Sequence, residues 1–136
     1  MANSTAMLAV QKAVILALNV PAVTNLAPVS EAVAEGQPYP YVEIGEIEET
    51  LNNVFTKNGR SVLVSIHIYS EQSGFKEAEA ILEQINILLD DTLLPDPPGW
   101  KTIQNFYEIG TAHKEFDVKE LRHVIGRYRF EVEQFP

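Results

Sequence analysis

Residues 61–92 read SVLVSIHIYSEQSGFKEAEAILEQINILLDDT and contain a strand, a turn and the longest helix that the sequence predicts. In the first part, β-branched apolar residues occupy every second position from Val62 to Ile68. This period of two predicts a strand with one buried face. The residues between them are mixed, so we expect the second face to be partly covered or partly exposed. Residues 70–74 form the predicted turn, in which Ser73 or Gly74 is expected to cap the helix that follows.

The second part of this stretch is an amphipathic helix. Its apolar residues recur at spacings of three and four and therefore form one stripe, with Lys, Glu and Gln on the opposite side. Each large side chain in the stripe favours docking by roughly 1.5–3 kcal/mol. The predicted partner is the apolar face of the sheet that contains the preceding strand. The stripe consists of Phe75, Ala78, Ile81, Leu82, Ile85, Leu88 and Leu89.

The chain before this stretch supplies another helix and another strand. We predict a helix that is capped by Ser4 or Thr5 and ends at about Leu18. A proline-rich connector follows over residues 21–40, with a short strand or turn near residues 29–33. A strand is predicted from about Tyr41 to Glu49, and residues 52–60 form a long loop that joins it to an antiparallel neighbour.

The chain after the long helix supplies the remaining strands. They are predicted at residues 100–111 and 122–133, and the polar residues 112–121 between them are predicted to be a loop with at most one helical turn. Gly126 lies inside the last strand and indicates a bulge or a close approach. The order α-β-β-α-β-β predicts an α+β fold, with a mostly antiparallel sheet of about four to five strands and both helices on one face. The length predicts one domain, residues 1–136.

Composition and charge exclude several classes of protein. The chain has no cysteine and a net charge of −9. The apolar N-terminus lacks a basic leader and no run is long enough to span a membrane, so we expect an intracellular product with no membrane contact. Residues 31–100 contain thirteen acidic and three basic residues, whereas residues 101–136 contain six of each. This acidity argues against direct nucleic-acid recognition. The asymmetry permits head-to-tail contact between copies, but the simpler interpretation is a solvated acidic surface that aids solubility.

The sequence shows no catalytic constellation. None of His67, His113 and His123 is predicted to have a second ligand at metal spacing, so a zinc site is not expected. His67 is interpreted as a surface or interface residue. The sequence also lacks a glycine-rich phosphate-binding loop. We therefore predict no enzyme activity and no cofactor.

Several segments, taken in order, resemble a known family. They are a helix at the N-terminus, PYPYVEIGE entering a strand, VLVSIHIYSEQSG, the helix EAEAILEQI and a closing strand near His123. Their order and spacing are similar to those of the tail-completion proteins of long-tailed phages, also called tail terminators or tail-to-head joining proteins. Prophages and gene-transfer agents have similar proteins. The resemblance covers nearly the whole chain.

This resemblance implies a structural virion protein of the tail or neck, made in the host cytoplasm. Such proteins assemble as a six-fold ring on the last ring of tail-tube subunits. They end tube elongation and present a surface to the head. The implied partners are further copies of the chain, the tail tube protein, and a head-tail connector or head-completion protein. A head-completion or neck adaptor is the first alternative, and a small ligand-binding α+β domain is the second.

Two regions are predicted to make the contacts between subunits or with partners: the loop at residues 52–60 and the arginine face of the last strand. Pairing of these arginines with acidic residues of their own sheet is the alternative interpretation. Aromatic residues before and within the first strand are added because such residues are enriched at interfaces. The candidates are Tyr39, Tyr41, Asn52, Phe55, Lys57, Arg60, Arg127 and Arg129.

Overall fold

The computed structural model describes residues 4–53, 58–116 and 119–135, which form three helices and five strands. Within this part of the chain, no helix has the length and apolar character needed to cross a membrane. The helices are α1 (Met7–Leu18), α2 (Pro21–Thr24) and α3 (Lys76–Leu89). The strands are β1 (Val29–Ser30), β2 (Tyr41–Leu51), β3 (Gly59–Ser70), β4 (Trp100–Phe116) and β5 (Glu120–Gln134).

All five strands form one sheet in the order β1-β2-β3-β5-β4. Strand β1 pairs with β2 in parallel, and the other neighbours are antiparallel. The predicted α+β class and mostly antiparallel sheet are therefore confirmed. Helix α3 carries the chain from β3 to the far edge of the sheet, and β5 then returns between β3 and β4. The helical turn α2 was not predicted, whereas β1 lies within the predicted connector segment.

Strand β3 lies at the centre of the sheet, and its predicted apolar face is fully buried. Val62, Val64, Ile66 and Ile68 each have an exposed fraction of 0%. The buried stripes of α1 and α3 belong to the same hydrophobic core, so both helices pack on this face, as predicted. Strand β5 adds its own alternating residues to that core, namely Val124, Tyr128, Phe130 and Val132.

The predicted helix caps are wrong. Helix α1 begins after Ala6, which makes no side-chain capping bond; the Ala6 N–H instead donates to Glu49 Oε1 at 2.6 Å. Helix α3 begins after Phe75, again without a capping side chain. At α1 a tertiary contact takes the place of the local cap, and a sequence pattern contains no signal for such a contact.

The prediction of a polar connection at residues 112–121 is also wrong, because these residues belong mostly to a long β4–β5 hairpin. The pairing reaches Phe116 opposite Glu120. The polar side chains here are cross-strand partners: Lys114 Nζ lies 3.3 Å from Glu120 Oε1. Exposed hairpin strands do not need alternating apolar and polar residues. The hydrophobic period of two that predicts a strand is therefore absent from this segment.

Gly126 marks a close approach of α3 to the sheet and not a bulge. Its pairing with β3 and β4 is in regular register, and the register shifts lie on β4 instead. A Cβ atom at Gly126 would lie 2.8 Å from Leu82 Cδ1 and 3.0 Å from Tyr128 Cε2. The absence of a side chain at this position therefore lets the helix stripe sit close to the strand.

Candidate functional site: the helix-free face of the sheet

The sheet face opposite α1 and α3, here called the helix-free face, carries polar and aromatic side chains. On β3 it includes Ser65 and His67, and on β5 it includes His123 and Arg127, because alternate residues of a strand point to opposite faces. His67 and His123 are only 9% and 6% exposed. Two titratable groups are thus buried on a face that no helix of the described residues covers.

Five rings form a continuous stack across β2, β3 and β5, here called the aromatic ladder. The ring centroids of Tyr39 and Tyr41 lie 5.3 Å apart, and those of Tyr41 and Tyr69 lie 5.1 Å apart. Tyr69 lies 4.2 Å from His123, which in turn lies 4.9 Å from His67. Such stacking adds roughly 0.5–1.5 kcal/mol per aromatic pair beyond burial. The structure thus brings two predicted contact residues, Tyr39 and Tyr41, to one end of an ordered stack.

The histidines also form a hydrogen-bonded chain, here called the histidine chain, which consists of Glu46, His67, His123, Glu115 and His113. Glu46 Oε1 lies 2.6 Å from His67 Nε2, and His67 Nδ1 lies 2.7 Å from His123 Nε2. Glu115 Oε2 lies 2.5 Å from His123 Nδ1 and 2.8 Å from His113 Nε2. The chain links strands β2, β3, β5 and β4 through side chains alone.

Sequence patterns do not reveal this chain, because its members meet only through strand pairing. His113 lies directly opposite His123 in the β4–β5 register, and His67 neighbours His123 diagonally across β3 and β5. The expectation that no histidine has a second ligand at metal spacing is wrong, since His113, Glu115 and His123 place one ligand atom each within 4.8 Å of one another. The His-x-Glu spacing at residues 113–115 was the available signal, because it places both side chains on one face of a strand.

The local electrostatics favour charged carboxylates at Glu46 and Glu115 and the neutral form of His123. The hydrogen bond from His123 is the main reason that the pKa of Glu115 lies below its ordinary value. The pKa of Glu46 is also lowered, by a backbone hydrogen bond and then by His67. Burial lowers the pKa of His123. Burial and then the charge of Glu115 raise the pKa of Tyr69 to about 12.

The predicted contact residues of the 52–60 segment separate into different environments. Asn52 is exposed and donates from Nδ2 to Glu131 Oε2 at 2.7 Å. Phe55 and Lys57 lie outside the described residues. Arg60 belongs to β3 and is only 4% exposed, with Nη2 donating to the Ser4 carbonyl at 3.0 Å. The side chain of Arg60 therefore makes contacts inside its own chain, and its predicted role between subunits stays a prediction.

Arg127 and Arg129 are both half-buried on the helix-free face but differ in their partners. Arg129 Nη2 donates to Glu108 Oε2 at 3.0 Å, and Nη1 donates to Ser61 Oγ at 2.7 Å. An acidic residue of its own sheet thus neutralises Arg129. Arg127 makes no salt bridge with any residue that the structure describes, although its charge contributes to lowering the pKa of Glu46 on the same sheet.

We expect the Glu108–Arg129 pair to make stability depend on pH. The hydrogen bond from Arg129 lowers the pKa of Glu108, so the pair stabilises the fold above the ordinary carboxyl pKa of about 4.3 and loses this effect as the pH falls through the folded pKa. Because the pair is partly exposed, Glu108→Gln should cost only about 0.5–1 kcal/mol at neutral pH.

The measurement is urea unfolding of wild type and Glu108→Gln at pH values descending from neutral. The difference in unfolding free energy should shrink as the pH falls. In an Arg129→Met background the same substitution should have no pH-dependent effect. A difference that stays constant down to acidic pH would contradict this assignment.

The two outer strands of the sheet present free edges. Strand β1 pairs only with Val42 and Glu43, so residues 44–51 of β2 have no strand partner on their outer side among the described residues. On β4, the N–H groups of Thr102 and Tyr107 are bonded by Asp96 and Asp90 of the preceding loop. Beyond Tyr107 the outer edge of β4 has no strand partner in the described chain. Residues 109–116 carry two exposed large apolar side chains, Ile109 at 50% and Phe116 at 81%.

An open groove of about 610 Å³ adjoins the start of the aromatic ladder. Residues 33–39 form one wall, which includes Glu35, and Glu43, Glu71 and Lys119 contribute the other charged groups. Lys119 Nζ lies 2.7 Å from Glu71 Oε2 and 5.7 Å from the centroid of the Tyr39 ring. The groove thus offers an aromatic and acidic surface beside the two tyrosines predicted as contacts.

Comparisons with known proteins add two findings. A sequence model of the family described as "Tail completion protein gp17" matches residues 12–132. A solved chain from a structure titled "Virion of native gene transfer agent (GTA) particle" is similar with a TM-score of 0.81 and 20% sequence identity, over 96% of this chain and 99% of that chain. At that identity the likeness shows a shared fold. Comparison with curated protein sequences gave no match.

Proposed function

This chain belongs to the family of tail completion protein gp17, and from that membership we propose that it is a structural virion protein that forms a ring on the end of the tail tube. The ring ends tube elongation and joins the tail to the head. The fold shared with a chain of a gene transfer agent particle supports a place in the particle's tail or neck. The partners are the tail tube protein on one side and a head-tail connector or head-completion protein on the other.

The main support for a ring is that the sheet has two different free edges, one on β2 and one on β4. A closed ring of identical copies needs two different, complementary patches on each copy. Residues 44–51 of β2 and residues 109–116 of β4 lie at opposite edges of one sheet. Exposed edges of this length pair readily with another strand, so the β4 edge of one copy can continue the sheet of the next.

Charge on the helix-free face supports the same head-to-tail arrangement. Glu43, Glu46 and Glu48 stand on the same face of β2, and Glu46 and Glu48 are exposed. Arg127 lies on β5, nearer the β4 edge, without a salt bridge to any described residue. When β4 of one copy meets β2 of the next, the acidic row of the neighbour lies two strands from Arg127, as does the acidic row of its own β2, so Arg127 can interact with both rows. Arg129 is a weaker candidate, because Glu108 already neutralises it.

Three more of the predicted contacts lie at the two ends of β2. Tyr39 and Tyr41 lie at its start, beside the open groove, and Asn52 follows its end. In a ring built from sheet edges these two ends point to opposite faces of the ring. We therefore assign one end to the tail tube and the other to the head connector, with Asn52 at the second end, while Phe55 and Lys57 stay predicted contacts.

The test is sedimentation of the purified chain over a wide concentration range, with and without tail tubes. We expect a discrete ring of about six copies, or a monomer that joins tube ends only. The double substitution Ile109→Asp and Phe116→Asp should abolish ring formation, because it places two charges on the edge that must pair. Ile87→Asp is the matched control, since Ile87 is 48% exposed on the outer side of α3.

Three outcomes would overturn the proposal. A stable dimer indifferent to tail tubes would contradict the ring. Binding to isolated portal or connector without binding to tubes would assign the chain to the neck as an adaptor. Rings that form equally well with Ile109→Asp and Phe116→Asp would remove the β4 edge from the interface. Arg127→Glu tests the charge contact separately. If this variant assembles like wild type, Arg127 does not contribute to the contact between copies.

A further inference from the structure

We propose that His113, Glu115 and His123 bind a divalent transition-metal ion of the zinc type, and that His67 and Glu46 orient the buried ligand His123 from behind. Two imidazole nitrogens and a carboxylate oxygen are ligands that zinc prefers, and three protein ligands leave one position open for water or a group from a partner. The inference is independent of the ring, since it concerns one isolated chain.

The ligand set is built by the β4–β5 hairpin. His113 and Glu115 are two residues apart on β4 and therefore share a face, and His123 lies directly opposite His113 on β5. The three ligand atoms already lie within 4.8 Å of one another. The neighbouring cations Lys114 and Arg122 point to the other face, where each pairs with Glu120.

The number of imidazole N–H groups in the histidine chain also favours a bound cation. The contacts from Glu46 to His67, from His67 to His123 and from His123 to Glu115 each need one N–H. Two neutral imidazoles carry only two such groups. If His67 donates from Nε2 to Glu46 and His123 donates from Nε2 to His67, then the contact between His123 Nδ1 and Glu115 needs a third hydrogen in the metal-free protein, and a bound metal ion can take the place of that hydrogen. A cation between Nδ1 and the carboxylate satisfies both groups.

The same arrangement matches how proteins hold ligating histidines. A metal-bound imidazole usually donates its other N–H to a fixed acceptor, which sets the tautomer and the ring orientation. Here His67 Nδ1 is that acceptor at 2.7 Å, and Glu46 fixes His67 in turn at 2.6 Å. The ring of Tyr69, stacked 4.2 Å from His123, further restricts the ligand.

Small movements convert the cluster into a coordination shell. Metal–ligand bonds of about 2.0–2.1 Å separate tetrahedral ligand atoms by about 3.3 Å, whereas Glu115 Oε2 now lies 2.5 Å from His123 Nδ1 and 2.8 Å from His113 Nε2. The side chains of His113 and Glu115 are 41% and 39% exposed, so they can shift, while His123 at 7% stays in place. The buried histidine thus acts as the anchor and the exposed pair closes on the ion.

The experiment is a titration of the tag-free chain with zinc chloride by calorimetry, and with cobalt chloride by visible absorption. We expect one ion per chain and the ligand-field absorption of tetrahedral cobalt. Glu115→Gln and His113→Ala should abolish saturable binding. Glu120→Gln is the matched control on the same hairpin and should bind like wild type. His67→Gln should keep one ion per chain but weaken binding by about 10–100-fold.

Nitrogen NMR of the histidine side chains keeps the proposal testable if a variant fails to fold. On zinc addition to wild type, His123 should be ligated at Nδ1 and protonated at Nε2. Absence of saturable binding by wild type would overturn the proposal. So would binding that Glu115→Gln and His113→Ala leave unchanged, because the ion would then sit elsewhere as an adventitious ion only.

Discussion

Replacing Arg60 by methionine should lower the free energy of unfolding by about 3 kcal/mol, the cost of removing one partner from a buried charge network. Arg60 Nε lies 3.7 Å from Glu49 Oε2, and its guanidinium lies 5.9 Å from the ring centroid of Trp100. Methionine preserves the apolar stem but leaves Glu49, only 12% exposed, without its cation. The Ser4 carbonyl loses a donor at the same time.

Urea unfolding followed by tryptophan fluorescence measures this effect, because Trp100 is the single tryptophan and touches the site. Arg127→Met is the matched control on the half-buried helix-free face and should change stability by no more than about 0.5 kcal/mol. The measurement must be made at protein concentrations at which the chain does not self-associate. Equal, small effects of the two substitutions would assign Arg60 to an interface, as the sequence suggested, and would contradict its role inside the chain.

Asn105→Ala is the second substitution with a large expected effect, again about 3 kcal/mol. Asn105 is 8% exposed and joins β4 to the end of α3 and the segment after it through three hydrogen bonds. Its Nδ2 donates to the carbonyls of Leu89 at 2.7 Å and Thr92 at 3.0 Å, and its Oδ1 accepts from the Leu94 N–H at 2.8 Å. Each buried backbone group left unpaired costs about 1–3 kcal/mol, and partial hydration reduces the sum.

The control is Asn52→Ala, which removes one exposed hydrogen bond to Glu131 and should cost below about 1 kcal/mol. Asn105→Asp should also destabilise the fold, because it retains the acceptor but turns a carboxylate toward two carbonyls. If Asn105→Ala unfolds at the same urea concentration as Asn52→Ala, the end of α3 is held by apolar packing alone.

The sequence by itself was sufficient for the centre of the fold. The buried residues of β3 and β5 were predicted from the period of two, and those of α3 from its apolar stripe. A buried face requires apolar residues at the repeat of the strand or helix, so the sequence shows that repeat directly. The family resemblance also came from the order of these segments, and the match over residues 12–132 confirms it. Polar stretches were less predictable: the β4–β5 hairpin lacks apolar alternation, so its cross-strand pairs were taken for a connection.

Only the tertiary structure decided which distant polar residues meet. The burial of Arg60, the hydrogen bonds of Asn105 and the histidine chain all depend on register between strands far apart in sequence. A local pattern records whether a side chain faces the core or not, but it contains no information on which strand lies opposite. His67 and His123 are 56 residues apart and become neighbours because β5 inserts between β3 and β4.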